Sequence, residues 1–233
     1  RWAATEGAEG TKPATHSIAF PCAGHFVMRT GWDKSDAYLL FDGGPVSREC
    51  RHDDKLNIIV YSHGRVHVTD PGTYPEDGSK WSRYVASTRA HNTVLVDGFE
   101  QNRPGMPREV DVSATPDHTW LTEEQFDYAS ATYGEGYGHL RSKSVRHTRS
   151  ILFIKPDLWI VTDFLSSTDG AVHRYDVLFH LDTLKADIVG NRKSVETYNR
   201  DAGNLGIYGM VPEATELDII SGQEEPVVQG WIP

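Results

Sequence analysis

The sequence predicts an all-β protein: a large antiparallel β-sandwich of two stacked multi-stranded sheets, with little helix. Three observations carry that prediction. Short runs rich in Val, Ile, Tyr, Phe and Thr recur at roughly 8 to 12 residue spacing, closely punctuated by turn residues. Within the runs, apolar residues follow the period of two of a half-buried strand, and nowhere does a helical apolar period persist for three turns. At 233 residues the chain is also long enough to bury a substantial core.

Taken in order, residues 1–20 carry Gly, Ala, Thr and Pro without an apolar period, and read as a lead-in or linker. Residues 21–233 read as one sandwich domain. Its predicted strands are HFVMRTGW (25–32), AYLLFDG (37–43), LNIIVYSH (56–63), RVHVTD (65–70) and NTVLVDG (92–98), then DYASATYG (127–134), SVRHTRSILFIK (144–155), LWIVTDFL (158–165), HRYDVLFHLD (173–182), SVETYN (194–199), LGIYGMV (205–211) and LDIIS (217–221). GNRKS and NRDAGN have the composition of hairpin loops. The stretch DPGTYPEDGSKWSRYVASTR (70–89) is different, a long loop rich in Tyr, Trp, Arg and Lys between two apolar strands; loops of this length in compact domains are usually functional or disordered, and the aromatic content argues against disorder.

The composition narrows the function classes. A formal net charge of −10 argues against nucleic acid and anionic membrane surfaces as general partners, because both require a basic face. No apolar run is long enough to cross a bilayer, and the start is not of signal-peptide type. With only Cys22 and Cys50, this is not a disulfide scaffold. A start at Arg1 and an end in QGWIP are expected of a piece cut from a longer polypeptide.

Chemistry concentrates between Cys50 and Asn92, where two polar knots, CRHDD and RAHN, flank an apolar strand and the aspartate of DPGTY. In an extended segment residues two apart share a face, so Cys50, His52 and Asp54 form one chelating edge. Asp70 closes the strand RVHVTD and His91 opens NTVLVD, which lets both turn toward a common point. His52, Asp70 and His91 together make a set of two nitrogens and one oxygen. That set suits Zn²⁺ or another divalent metal, with a fourth position for water or Cys50. Plainer readings stand beside this one: Asp54 and Lys55 as a solvated pair, and DPG as a turn chosen for its backbone angles.

The run HDDKLNIIVYSHGRVHVTDPGTY followed by STRAHNTVLVDG closely resembles the heparinase II/III-like polysaccharide lyases. The likeness extends more loosely through VMRTGWD and AYLLFDGGP upstream and VRHTRSILFIKPDLWIVTDFL and HRYDVLFHLD downstream. The resemblance implies the C-terminal β-sandwich of such an enzyme. An α/α toroid domain of the same full-length chain would carry most of the catalytic groups, and nothing in this sequence resembles it. It implies the same three metal residues: His52 as second histidine of an HxHxD motif, Asp70 of the D-[PS]-G turn, and His91 of AHNT. Two residues before His52 the family commonly has a histidine facing substrate, and this chain has Cys50; a thiol ligates metals but does not replace an imidazole that hydrogen-bonds to sugar.

The implied reaction is β-elimination on a uronic-acid-containing acidic polysaccharide or oligosaccharide, in the periplasm or outside the cell. A base removes the C5 proton and an acid protonates the oxygen leaving C4. Some members contribute one tyrosine from the sandwich loop. Tyr84 and Tyr74 are the candidates, with Tyr84 preferred as the catalytic one because Trp81, Arg83 and Arg89 surround it; Arg83, Arg89, Tyr74 and Cys50 are the candidate substrate contacts. Two other readings use the same residues: a carbohydrate-binding module working through loop 70–89 without catalysis, and a zinc hydrolase with Asp54 as base. His147, Arg149, His173 and His180 are expected to be structural, and Trp32, Trp120 and Trp159 to be packing groups.

Overall fold

The computed structural model describes residues 8–44, 52–102, 118–138, 142–190, 193–200, 203–210 and 216–231. Two antiparallel sheets form the body. The first runs in the order β1 (Ile18–Phe20), β2 (His25–Arg29), β3 (Tyr38–Asp42), β4 (Asn57–Ser62), β5 (Arg65–Val68). The second comprises β7 (His118–Thr122), β8 (Phe126–Tyr133), β9 (Val145–Ile154) and β10 (Leu158–Ser167), in the order β10-β9-β8-β7. Two smaller sheets complete the fold: β6 (Val94–Val96) pairs with β11 (Tyr175–Val177), and β12 (Ala186–Val189), β13 (Ser194–Thr197) and β14 (Gly206–Tyr208) form consecutive hairpins.

The period of two explains why these segments are strands. Along β3 the residues alternate between partial and full burial, so that Leu39 and Phe41 point inward; β9 buries Val145, Ile151 and Phe153 on one face and exposes Arg146 and Ile154 on the other. Phe26, Met28, Leu39, Phe41, Ile58 and Val60 from the first sheet meet Ala129, Ala131, Tyr133, Ile151 and Phe153 from the second in one continuous core. Trp159 stacks on Phe153 at 5.1 Å between ring centroids and Trp120 on Phe26 at 5.8 Å, the packing roles expected of both. Gly43 marks a close approach of the sheets, since a Cβ there would lie 2.5 Å from that of Ala131.

Several details differ from the sequence expectation. The lead-in already contains structure: β1 falls within it, and Ser17 donates to Asp127 at 2.6 Å, tying it to the second sheet. LDIIS (217–221) is no strand. Ile219 and Ile220 are adjacent and equally exposed, at 46% each, so the segment lacks the one-sided burial that holds a strand in register. Strands β7 and β12 add to those expected. Within loop 70–89 lies a short helix, α1 (Lys80–Ala86), whose N-terminus is capped by Ser79 accepting from the Ser82 amide, and a 3-10 turn, Thr88–Ala90, follows it. Two turns of helix are too few to leave a readable apolar period.

Candidate metal centre

Antiparallel pairing sets the geometry. The segment entering β4, the segment leaving β5 and the 3-10 turn before β6 all arrive at one end of the first sheet, bringing His52, Asp54, Asp70 and His91 together. Ligand atoms of His52, Asp54 and His91 lie within 4.8 Å of one another. The His52 and His91 rings are 5.2 Å apart between centroids, and Asp70 Oδ2 is 3.7 Å from His91 Nε2. Of the three metal residues read from sequence, His52 and His91 come together with Asp54, while Asp70 lies against His91 outside that group of three. Lys55 Nζ reaches Glu135 at 3.5 Å.

His91 is the centre of this arrangement. It is fully buried, and its Nδ1 lies 2.7 Å from the Ser87 carbonyl. A carbonyl only accepts, so Nδ1 carries the proton and Nε2 presents a lone pair. That Nε2 is buried without a hydrogen-bond partner. Burial pushes the His91 pKa down to about 4, against the opposing pull of Asp70, so the ring is neutral at pH 7 and able to ligate a metal.

The carboxylate is aimed just as firmly. Asp70 Oδ1 accepts from the Gly72 amide at 2.8 Å, so the DPG turn itself orients the side chain, with Gly72 taking the left-handed φ of +69°. Asp70 Oδ2 accepts from Asn57 Nδ2 at 2.7 Å, while Asn57 Oδ1 accepts from the Asn92 amide at 2.8 Å. Asn92 then donates to the carbonyls of Ile58 and Thr69 and accepts from the His180 amide at 2.6 Å. Two buried asparagines thus fix the spacing between Asp70 and His91. Neither role is visible in the sequence, because Asn at a strand end carries no pattern that distinguishes a supporting layer of a site from an ordinary cap.

Behind this layer stands Arg149, fully buried on β9. Its Nε and Nη2 bind both oxygens of Asp163 at 2.7 and 3.0 Å, and Nη1 donates to the carbonyls of Leu56, at 2.8 Å, and Asn92. Leu56 holds a left-handed φ of +70°, an uncommon conformation for a residue with a branched side chain. Its amide donates to Asp42 and its carbonyl accepts from Arg149, so both neighbouring strands pin the strained corner beside the site. Burial raises the Asp163 pKa, but the Arg149 charge and the hydrogen bond from His147 outweigh it and hold the carboxyl well below the usual range.

The remaining candidates are placed as follows. Tyr84 is buried in a small cluster with Val85 and Ala90, against which Tyr74, Val228 and Trp231 pack. Its hydroxyl donates to the Trp231 carbonyl at 3.2 Å, and burial raises its pKa. Arg83 is exposed and donates to the Gly78 carbonyl; Arg89 pairs with Glu100 at 3.3 Å and donates to Gly98 at 2.8 Å. Cys50 lies outside the described residues. His180 is buried beside His91, its pKa lowered to about 4 chiefly by burial, and His173 is held between Asp97 and Asp169 at 2.7 and 3.0 Å.

The donor set, the imidazoles of His52 and His91 with the carboxylates of Asp54 and Asp70, is of a chemistry that fits a divalent metal of zinc type. Comparison with known proteins agrees with the fold. Heparin-sulfate lyase of Pedobacter heparinus is 24% identical over 228 residues, which is 96% of this chain and 32% of that protein. The crystal structure of heparan sulfate lyase HepC from the same organism superposes with a TM-score of 0.70 at 24% identity, over 89% of this chain and 31% of that one. A heparinase III structure superposes with a TM-score of 0.72 at 19% identity, over 88% and 30%. The chain therefore spans about a third of the length of these relatives. A family model described as heparinase II/III-like, C-terminal, matches residues 12–223, and the chain belongs to that family.

Proposed function

We propose that this chain is the metal-bearing β-sandwich of a polysaccharide lyase, acting in the periplasm or outside the cell, that cleaves a uronic-acid-containing polysaccharide by β-elimination. Most acid and base groups reside on an α/α toroid domain of the same full-length protein. The observation that carries this reading is the gathering of ligand atoms of His52, Asp54 and His91 within 4.8 Å of one another, with Asp70 3.7 Å from the unpartnered Nε2 of His91, in a chain of the heparinase II/III-like family. That the relatives are about three times as long leaves room for the second domain.

Charge balance gives the site its logic. Elimination requires an anionic sugar to approach and its C5 proton to be lost, which adds enolate-like charge beside the carboxylate. Asp54 and Asp70 alone would repel such a substrate. His52, His91 and the carboxylates would hold a zinc ion, which when bound supplies compensating positive charge and locks this end of the sheet. The chain's own contribution is positioning: Ser87 sets the tautomer of His91, Gly72 and Asn57 aim Asp70, and Arg149 keeps the two supporting segments in place.

The direct experiment uses the full-length protein on heparan sulfate, heparin and alginate, following absorbance of the unsaturated uronate product together with elemental analysis for metal. Unsaturated product from the wild type, and loss of metal in His91→Ala, are the expected results. Chain cleavage without an unsaturated end would overturn the lyase reading, and a wild type that holds no metal after dialysis against zinc would overturn the metal centre.

A further inference from the structure

The opposite end of the first sheet carries a different feature. Strand pairing aligns Arg29 with Tyr38 and Tyr38 with Tyr61, whereas the metal-site end aligns Asp42 with Asn57. Four residues of strand separate the two ends, roughly 13 Å at the usual rise. There, between the end of β2 and the turns joining β7 to β8 and β9 to β10, lies an open hollow of about 560 Å³ lined by His16, Arg29, Glu123, Glu124 and Lys155 among others.

Arg29 is unusual for a half-buried cation. Its guanidinium carbon lies 4.2 Å from the centroid of the Trp32 ring and 4.4 Å from that of Tyr38. Trp32 is itself pinned, its indole donating to the Thr15 carbonyl at 3.0 Å, and the Arg29 amide is held by Ser17 Oγ at 2.8 Å. Yet among the described residues no carboxylate pairs with this guanidinium, although the chain is strongly acidic. Lys155 shows the contrast in the same hollow: it is committed to Asp127 at 3.1 Å and to the Glu123 carbonyl at 2.8 Å. A desolvated, rigidly stacked fork with unused donors is suited to bidentate binding of a planar or tetrahedral oxyanion. Glu123 and Glu124 across the hollow would repel a dense polyanion but accept hydrogen bonds from sugar hydroxyls.

We infer that the hollow around Arg29 is a second saccharide subsite, which takes one carboxylate- or sulfate-bearing sugar residue of an acidic polysaccharide remote from the metal centre and retains the polymer there. The inference rests on the acidic-polysaccharide reading for its ligand class. Its consequence is a dependence on chain length, because a disaccharide is shorter than the separation of the two ends of the sandwich.

The test compares wild type with Arg29→Gln in the full-length protein, on heparan sulfate polymer and on a disaccharide prepared from it, with Arg29→Lys as the variant that keeps charge without the fork. Arg29→Gln should raise KM for the polymer by about tenfold, the scale of one charge-assisted hydrogen bond, with kcat and the disaccharide KM unchanged. Arg29→Lys should recover only part of the loss. Equal KM values for both substrates in all three proteins overturn the subsite. So does a polymer effect that vanishes in sodium chloride at raised ionic strength, since diffuse attraction would then suffice. If no protein cleaves either substrate, the lyase reading fails by itself, and calorimetric titration with the same heparan sulfate polymer decides the subsite: weaker binding by Arg29→Gln supports it, equal binding overturns it.

Discussion

His91 and His147 are both fully buried, and each has one ring nitrogen bound and one without a hydrogen-bond partner. Their surroundings separate them. His91 donates to a neutral carbonyl, and its second nitrogen faces Asp70, with ligand atoms of His52 and Asp54 within coordination reach. His147 bonds at 2.6 Å to Asp163, whose charge Arg149 already balances. Among the described residues no further group of metal-ligating side chains gathers around it. One cluster is balanced in itself, and the other gathers ligand atoms of three residues within 4.8 Å. An orphaned buried nitrogen does not make a site; convergence of other ligands on it does.

The sharpest way to break this comparison is to remove the charge that completes the His147 cluster. Arg149→Met leaves Asp163 buried and uncompensated and releases the carbonyls of Leu56 and Asn92, so it should cost about 3–5 kcal/mol of stability. Chemical denaturation measures this directly. An effect no larger than that of a surface substitution would show that Arg149 does not strut the site.

The corresponding change in the other cluster should behave differently. His91→Gln removes the central ligand but no fixed charge; zinc content should fall from stoichiometric to background, and the variant's melting temperature should approach that of chelated wild type. Metal-free wild type and metal-free variant should then differ far less than the loaded proteins do. If added zinc raises the melting temperature of both proteins equally, the ion binds elsewhere.

How much of this was legible in the sequence differs between the two clusters. The period of two in segments such as YLLFD and VRHTRSILFI revealed the sandwich, because alternation records directly which face is buried. The nearness of His52 and Asp70 to His91 was legible because each lies in a short motif at a strand end, where direction can be inferred. Arg149, Asn57 and His180 were not. Their roles arise from contacts far apart in the chain, 35 residues between Asn57 and Asn92, 88 between Asn92 and His180 and 93 between Leu56 and Arg149, and no local pattern encodes them. Helix α1 was hidden for the opposite reason: its two turns are held by a cap at Ser79 and by packing on Trp231, not by a sustained apolar stripe.

Acid should weaken the fold through the buried imidazoles. His180 has its pKa lowered to about 4, and His147 is lowered as well, in both cases chiefly by burial. An unfolded histidine titrates near 6.5. Below that value the unfolded chain takes protons that the folded one refuses, so the stability from these groups is fully present above about pH 6.5 and is lost as pH falls toward 4. Melting temperature from pH 8 to pH 5 should decline over this window, and His180→Gln should flatten part of the slope. A slope unchanged in that variant would mean that His180 accepts its proton without loss of packing.

The smallest expected effect concerns Tyr84. Its hydroxyl lies between the carbonyl and the amide of Trp231, at 3.2 and 3.4 Å, and the ring is buried under Tyr74, Val228 and Trp231. To act on a sugar, the hydroxyl would first have to leave both partners, and the segment around Trp231 would have to lift from α1. Tyr84→Phe keeps the ring and deletes only these bonds, so a packing role predicts a loss of about 1 kcal/mol with metal content intact. Lyase activity of the full-length variant then reads the other role: turnover slowed by about a hundredfold or more, the scale of a lost acid or base, would require that Trp231 vacate the hydroxyl when substrate binds. Unchanged turnover would leave Tyr84 as the pin that joins Trp231 to helix α1.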